Sequence, residues 1–375
     1  MKTNKIFDDH LVKAKDTIAF KNNKPMSCFS GSAVPPTYMD ITLADYIFDT
    51  DKGFQYFIEF VNKINDEAPI DCMNFGYPGM LPIGTILTWW SKVKIPGREL
   101  DENALWQVEE KMTMTESDYD ILLNEGFDSL FAKIVPQVGD MADIQTFIKY
   151  HMESDVKEAQ GYIDNGYPVL CSGAVVPPFE TLCGARSMSQ FFMDCYKFPE
   201  KVKEAQDIML NKMKDDLTNQ QFPEFVIGNW VGGWRGASAL VAPKIWDKLV
   251  WPYMLELSKI LIEKGITPIL HLDQSWDRDI ERFLELPEKK CILNTDGMTD
   301  LRKARKVLGE HVAFMGDVPA QMLATSKPEA VSDYVKRLLD DIGVKGVFVT
   351  PGCDAPANSK YENLVALHKT ASEYN

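Results

Sequence analysis

The chain has 375 residues, of which 45% are hydrophobic and 25% are charged, a composition typical of a folded globular protein that excludes intrinsic disorder. Its 40 lysine and arginine residues against 55 aspartate and glutamate residues give a formal net charge of −15, so we expect neither nucleic acid nor anionic lipid as a partner. No apolar run approaches the roughly 18 residues that cross a membrane, so we expect no membrane span.

The first residues of the chain are charged and contain no apolar stretch, so no signal peptide is visible and we expect a cytoplasmic protein. The cysteines are widely spaced and odd in number: Cys28, Cys72, Cys171, Cys183, Cys195, Cys291 and Cys353. A disulfide framework is not expected in a chain of this size. A cysteine with a special role is therefore a candidate metal ligand or nucleophile.

The first half of the chain has an irregular pattern. Residues 1–65 are predicted to form helices and loops outside the main fold, and residues 84–115 are predicted to form an inserted loop. Strands are predicted near residues 70–75, 168–172 and 225–230. Long helices are predicted at residues 141–164, 189–218 and 244–264.

The second half alternates short apolar runs with helical patterns. The runs lie at residues 266–273, 290–296, 311–317 and 346–354, and the helical patterns lie at about 277–286, 298–308 and 328–342. Short apolar runs separated by helices are typical of buried parallel strands in βαβ units. The pattern therefore predicts an α/β fold.

Each of these four runs ends in a polar residue, namely Asp273, Asp296, Asp317 or the pair Cys353-Asp354. In a parallel barrel such residues lie at the carboxyl ends of the strands, where catalytic groups are placed. Asp296 and Asp317 are equally compatible with helix N-caps. The strand ends are thus candidates for function, with capping as the alternative for two of them.

His271 and Asp273 are separated by one residue at a predicted strand end, so their side chains point to the same side. Such a pair can share a metal ion or act as a His–Asp general base. Cys353 follows the last predicted strand in a turn with glycine and proline. A thiolate, an imidazole and a carboxylate form a plausible three-ligand zinc site with an open fourth position. The alternative is that Cys353 is a small buried residue behind a tight turn.

Tryptophans are concentrated between residues 230 and 276. Residues 229–236 are rich in glycine and contain Trp230, Trp234 and Arg235, and we predict a loop that borders an apolar or aromatic substrate. Trp246 and Trp251 fit a helical pattern and are expected in the core. No nucleotide-binding glycine motif, Walker loop or serine-hydrolase elbow is present, so NAD, ATP and serine-hydrolase chemistry have little support.

Four segments resemble the uroporphyrinogen decarboxylase superfamily. They are His271-Leu272-Asp273, Gly316-Asp317-Val318-Pro319, Gly352-Cys353-Asp354-Ala355-Pro356 and Phe198-Pro199-Glu200-Lys201-Val202. The resemblance spans roughly residues 65–375. It implies a single (β/α)8 TIM barrel formed by residues 66–375, with residues 1–65 as an N-terminal extension.

The decarboxylase branch of that superfamily carries an arginine-rich N-terminal motif, whereas residues 26–36 of this chain contain no arginine. The other branch consists of zinc-dependent cobalamin methyltransferases, and there the resemblance makes His271 and Cys353 zinc ligands. Asp273 replaces a cysteine ligand, as in the O-demethylase methyltransferases. Fewer thiolates leave a harder, more Lewis-acidic zinc that suits an oxygen donor.

The resemblance therefore implies a cytoplasmic, zinc-dependent methyltransferase. It would move a methyl group from a small methylated substrate, preferably a methoxylated aromatic ether, to the Co(I) of a corrinoid (cobalamin) carried by a partner protein. His271, Asp273 and Cys353 are the expected catalytic and metal-binding residues, and Glu180 is a candidate fourth ligand. Asn229, Trp230 and Asp296 are candidate substrate-binding residues. Other methyl donors, namely methanol, a methylamine or a betaine, stay open, and so does a homo-oligomer.

Three alternatives remain at this point. The first is a metal-independent decarboxylase that uses Asp296 or Asp317, with Arg186 or Arg235 holding the substrate carboxylate. The second is transfer in the opposite sense, from a methyl-corrinoid to a thiol or folate acceptor. The third is a non-catalytic protein that binds a corrinoid or an aromatic compound.

Overall fold

The computed structural model describes residues 3–374. The strands are β1 (Met26–Phe29), β2 (Cys72–Met73), β3 (Lys92–Lys94), β4 (Gln107–Glu109), β5 (Cys171–Val175), β6 (Gly228–Gly233), β7 (Thr267–Leu272), β8 (Ile292–Thr295), β9 (Ala313–Val318) and β10 (Val347–Pro351). The α-helices are α1 (Lys5–Ile18), α2 (Leu43–Phe48), α3 (Thr50–Asn65), α4 (Leu81–Trp89), α5 (Asp118–Glu125), α6 (Phe127–Val138), α7 (Met141–Asn165), α8 (Pro178–Arg186), α9 (Met188–Lys197), α10 (Pro199–Asn219), α11 (Pro243–Leu249), α12 (Trp251–Glu263), α13 (Leu301–Leu308), α14 (Ala320–Thr325), α15 (Pro328–Ile342) and α16 (Tyr361–Glu373). Short 3-10 helices lie at Pro35–Thr37 and Ile280–Glu285.

Eight parallel strands form one sheet in which the order around the sheet follows the order along the chain, from β1, β2 and β5 to β10, and β10 pairs with β1. The remaining seam, between β2 and the start of β5, is closed by backbone hydrogen bonds. Met73 N donates to Pro168 O (2.9 Å), Leu170 N donates to Met73 O (2.8 Å), and Cys171 N donates to Asn74 O (2.9 Å). The sheet is therefore a closed (β/α)8 barrel, as predicted.

Helix α15 shows how the sequence pattern produces the outer layer, and its observed bounds equal the predicted ones. Pro328 occupies the first turn, where its missing N–H is not needed, and Gly343 ends the helix with a φ of 77°. The residues between them repeat at helical spacing and form one apolar stripe. Its buried members are Val331, Val335, Leu338, Leu339 and Ile342.

The barrel interior is apolar near the strand starts and polar near the strand ends. The apolar part combines side chains from the strands with residues from and just after α1, and includes Ile18, Phe20, Met26, Cys28, Cys72, Leu170, Ile269, Ile292, Met315 and Phe348. These side chains close the N-terminal end of the barrel. Polar groups inside the barrel therefore face its C-terminal end.

The structure corrects three predictions. Residues 1–65 are not wholly outside the barrel, because Met26–Phe29 is β1 and pairs with β10 and β2. Residues 84–115 are not only a loop, since they contain most of α4 and the antiparallel pair β3 and β4. The predicted loop at residues 229–236 begins as β6, because its glycines permit close approach of the neighbouring side chains and strands.

Two of the predicted long helices are each divided into two helices. The predicted helix 189–218 is α9 and α10, and the predicted helix 244–264 is α11 and α12. A proline in the first turn of α10 and of α12 explains where the second helix of each pair begins, since proline is favoured in a first helical turn. Within residues 3–374, no helix is both long and apolar enough to cross a membrane.

Candidate metal centre

The ends of β7 and β10 bring three potential metal ligands together. His271 lies in β7, Asp273 follows the strand directly, and Cys353 lies two residues beyond β10. His271 Nε2 is 3.3 Å from Asp273 Oδ1 and 3.6 Å from Cys353 Sγ. One ligand atom from each residue lies within 4.8 Å of the other two. Strand alternation thus places His271 and Asp273 on one side, as expected from their spacing.

The donor set fits a zinc ion. In a tetrahedral zinc site with bonds of about 2.0–2.3 Å, neighbouring donor atoms are separated by about 3.4 Å. The distances of 3.3 Å and 3.6 Å from His271 are close to that separation. One nitrogen, one oxygen and one sulfur donor leave a fourth position for a substrate atom, which is typical of catalytic zinc sites.

His271 is held from both sides of its ring. It is 6% exposed, and its Nδ1 lies 2.6 Å from Asn294 Oδ1 on β8. Burial by itself lowers the pKa of His271, but hydrogen bonds to Asp273 and Cys353 outweigh burial and raise that pKa well above its usual value. The imidazole therefore faces two acidic groups through Nε2 and an amide through Nδ1.

Asn294 was not among the residues predicted from the sequence. It is fully buried, and its Cα is the register partner of His271 between β7 and β8. The signal that identifies it is an asparagine inside a buried parallel strand, two residues before Asp296 and therefore on the same side of that strand. A buried polar side chain needs a partner, and here the partner is a candidate metal ligand.

Aromatic side chains line one side of the three ligands. The ring of Trp230 is 5.8 Å from the ring of His271, and the ring of Trp89 is 6.0 Å from Trp230 and 5.0 Å from Trp234. A Cβ atom on Gly232 would lie 2.7 Å from the Trp230 ring, so glycine there makes room for the indole. We call Trp89, Trp230 and Trp234 the tryptophan wall.

The guanidinium of Arg235 stacks on the tryptophan wall. Its centre is 4.6 Å from the ring centroid of Trp234 and 5.2 Å from that of Trp89. Arg235 is 1% exposed, and it donates from Nη2 to Ser91 Oγ (3.2 Å) and from Nη1 to the Glu180 carbonyl (3.4 Å). The wall thus already holds a buried cation.

Glu180 lies in the first turn of α8 and is not one of the three grouped ligands. Its carboxylate accepts hydrogen bonds from Gly236 N (2.7 Å) and Arg235 N (3.2 Å). Burial raises the pKa of Glu180 to about 7, although nearby Arg235 and the two N–H groups oppose that rise. Its oxygens hold the turn that follows β6, and its role as a fourth ligand stays a prediction.

The carboxylates at the ends of β8 and β9 have other partners. Asp296 accepts from Gln274 N and Met298 N, each at 2.8 Å, and Asp317 accepts from the Tyr334 hydroxyl at 2.9 Å. Burial raises the pKa of both carboxyl groups. Asp296 connects two strand-end loops, so its part in substrate binding stays a prediction.

Asn229 and Trp230 are neighbours in β6 and therefore face opposite sides of the sheet. Trp230 contacts His271, whereas Asn229 is buried next to Gly173, whose added Cβ would lie 3.0 Å from Asn229 Oδ1. Of these two predicted substrate-binding residues, only Trp230 lies beside the candidate ligands. Asn229 Oδ1 is buried and has no hydrogen-bond partner among the described residues.

The turn that carries Cys353 is fixed by the next residue. The carboxylate of Asp354 accepts from Ser30 Oγ (2.9 Å) and from Ser32 N (3.0 Å), and Ser32 Oγ also donates to it. These bonds join the end of β10 to the loop after β1. The position of Cys353 is thus set by contacts between the first and last strands of the barrel.

Comparisons with known proteins agree with this architecture. The sequence profile of the family described as Uroporphyrinogen decarboxylase (URO-D) matches residues 135–374, more than half of the chain. No curated protein matches the sequence. Among solved structures, a methyltransferase from Methanosarcina mazei superposes with a TM-score of 0.67, covering 97% of this chain and 98% of that chain at 13% identity, which shows a shared fold. The chain therefore belongs to the uroporphyrinogen decarboxylase family.

Proposed function

We propose that the protein is a zinc-dependent methyltransferase that moves a methyl group from a methoxylated aromatic ether to the Co(I) of a corrinoid carried by a partner protein. The observation that carries the proposal is the grouping of His271, Asp273 and Cys353 at the carboxyl ends of the barrel strands. The methyltransferase from Methanosarcina mazei, which shares the fold, supports the same reaction class.

Each group at the site has a role in this reaction. His271, Asp273 and Cys353 would hold the zinc, which supplies Lewis acidity toward an ether oxygen when it is bound. The tryptophan wall offers flat apolar faces on which an aromatic ring can stack. Together they would place the methoxy group beside the ligands and exclude water from it.

The bond changes follow from the proposed donor and acceptor. The bond between the methyl carbon and the ether oxygen breaks, and its electron pair stays on oxygen as a phenolate. The methyl carbon bonds to cobalt, and Co(I) supplies both electrons of the new bond. The protein's contribution is to align the donor with the corrinoid and to stabilise charge on the leaving oxygen.

Arg235 favours a neutral or anionic donor over a methylammonium compound. Indole faces bind cations, but two of the three indoles in the tryptophan wall already stack on this guanidinium. A second cation against the same rings would be repelled at short range. This argument supports the aromatic ether over a methylamine or betaine.

A decarboxylase of this fold would need an arginine to hold the substrate carboxylate. Arg186 donates from Nε and Nη2 to the two carboxylate oxygens of Asp194, at 2.6 Å and 3.0 Å. Arg235 is buried against the tryptophan wall and bonded to Ser91. Both guanidinium groups are buried and already hydrogen-bonded, which is a reason to prefer methyl transfer.

The test is turnover with a Co(I) corrinoid acceptor and a methoxybenzoate donor. We expect loss of the Co(I) absorption and release of the hydroxybenzoate, with no turnover of a tetramethylammonium salt. The Trp230→Leu variant should keep its zinc and lose roughly threefold to tenfold in affinity for the donor, since an aromatic contact contributes about 0.5–1.5 kcal/mol. A zinc-loaded protein that transfers methyl from neither donor would refute the proposal.

A further inference from the structure

We propose that Asn294 is a positioning residue that sets the tautomer of His271, so that the Nε2 lone pair points toward Asp273 and Cys353. The inference rests on the proposed metal site and deepens it. It depends on the hydrogen bonds made by the nitrogen and the oxygen of the Asn294 side chain. Together these bonds allow only one placement of the proton on the neutral His271 ring.

The amide end nearer β9 is fixed by the backbone. Asn294 Nδ2 is 3.3 Å from the carbonyl oxygen of Met315, and a carbonyl oxygen only accepts hydrogen bonds. The NH2 group must therefore face Met315. With the amide flipped, two acceptor oxygens would face each other inside the protein, where an unpaired polar group is costly.

The other end of the amide then determines the histidine. Asn294 Oδ1 faces His271 Nδ1 at 2.6 Å and also lies 3.5 Å from Asn74 Nδ2. Because this oxygen only accepts, the proton of His271 must lie on Nδ1 whenever the ring is neutral. Nε2 is then the free lone pair, and it is the nitrogen that faces Asp273 and Cys353.

The amide has no competing role in the fold. Asn294 is fully buried, and its side chain bonds only to His271, Asn74 and the Met315 carbonyl among residues 3–374. Its neighbour Thr295 is equally buried and faces the other side of β8, and within the described part of the chain its Oγ1 has no hydrogen-bond partner. Thr295 thus provides a matched control on the same strand.

The test compares zinc dissociation constants, measured by competition with a chromophoric chelator at one fixed pH, for the wild type and three variants. Asn294→Leu removes the acceptor, and we expect roughly 10–100-fold weaker zinc binding. Asn294→Asp keeps an oxygen for His271 Nδ1–H, and its second oxygen can face the Met315 carbonyl when it carries a proton, so we expect an affinity closer to that of the wild type than to that of Asn294→Leu. Thr295→Val should leave the affinity unchanged.

A second measurement does not depend on the variants folding. With 15N-labelled histidine in the zinc-loaded wild type, the long-range proton–nitrogen spectrum should show His271 with a proton on Nδ1 and the metal on Nε2. The opposite tautomer, or equal zinc affinity in Asn294→Leu and Thr295→Val, would overturn the inference. A wild type that binds no zinc would instead overturn the proposed function, and the inference with it.

Discussion

Two regions of the barrel carry polar residues at the carboxyl ends of their strands, one at β7 and β10 and the other at β8 and β9. The two regions differ in the contacts that these residues make within the fold. At β7 and β10, His271 Nε2 faces Asp273 Oδ1 at 3.3 Å and Cys353 Sγ at 3.6 Å, while His271 Nδ1 faces Asn294. At β8 and β9, the carboxylates of Asp296 and Asp317 accept hydrogen bonds from backbone N–H or tyrosine O–H groups. The same position in the fold therefore supports two different uses.

This difference indicates that a polar side chain at a strand end is a candidate metal ligand only when the fold does not already supply hydrogen-bond donors to its acceptor atoms. Asp296 and Asp317 stabilise loops and a helix contact, and Asp354 does the same for the turn of Cys353. Carboxylates with donors at hand are satisfied without a metal. A group of facing acidic and imidazole side chains with few other donors is better satisfied when a cation is shared among them.

The strongest test of this comparison removes one candidate ligand at a time from the ends of β7 and β10. Cys353→Ala and His271→Ala should each abolish stoichiometric zinc binding, measured by mass spectrometry of metal content. Methyl transfer should then fall by about a thousandfold or more, because a Lewis acid lowers the activation free energy by several kcal/mol.

Asp296→Asn is the matched control for those variants. Its carboxylate lies at a strand end but accepts from two backbone N–H groups, so this variant should retain about one zinc per chain. Loss of zinc from Asp296→Asn, or its retention in both ligand variants, would remove the distinction between the two regions.

The pH dependence of stability provides a further test, through the buried carboxyl group of Glu180. Burial raises its pKa from the usual 4.5 to about 7 in the folded protein. The folded state therefore holds this proton to higher pH than the unfolded chain, and its contribution to stability is lost as pH rises from about 4.5 to about 7. In Glu180→Gln, the decrease in unfolding free energy between pH 5 and pH 8 should be smaller by roughly 2–3 kcal/mol.

The measurement is denaturant unfolding of both proteins at the two pH values in one buffer system. Every other titrating group is common to the pair, so the difference between the two decreases reports Glu180 alone. Equal decreases would mean that Glu180 is ionised throughout and that its two backbone donors outweigh burial.

Tyr334 provides the smallest expected effect. Tyr334→Phe removes the hydroxyl that donates to Asp317 and leaves a buried carboxyl group without that donor. We expect the unfolding free energy to fall by about 1–2 kcal/mol. Zinc content should not change, and a loss of zinc in this variant would connect the end of β9 to the ligand group after all.

The sequence predicts the second half of the barrel well because its strands are continuous apolar runs separated by regular helical patterns. The exception is the helix predicted at about 277–286, where the structure has only a short 3-10 helix, Ile280–Glu285. It also predicts the meeting of His271 and Asp273, since that follows from alternation within a single strand. The strand Met26–Phe29 was not predicted, because a segment of four residues is too short for its hydrophobic pattern to distinguish a strand from a loop. Asn294 was missed because its importance depends on register with a neighbouring strand, which a single sequence does not contain.

Closure of the barrel is uneven, and this has a consequence for its dynamics. The seam between β2 and β5 is held by three backbone hydrogen bonds, whereas β6 and β7 pair over six positions. The strand β1 pairs with β2 and with β10 over two positions each, so the weakly paired arc runs from β10 through β1 and β2 to β5. Local opening is easiest where few buried hydrogen bonds must break, and we therefore expect the fastest amide exchange in this arc. His271 and Asn294 lie on β7 and β8, outside this arc, so we expect their contact to persist while the arc opens.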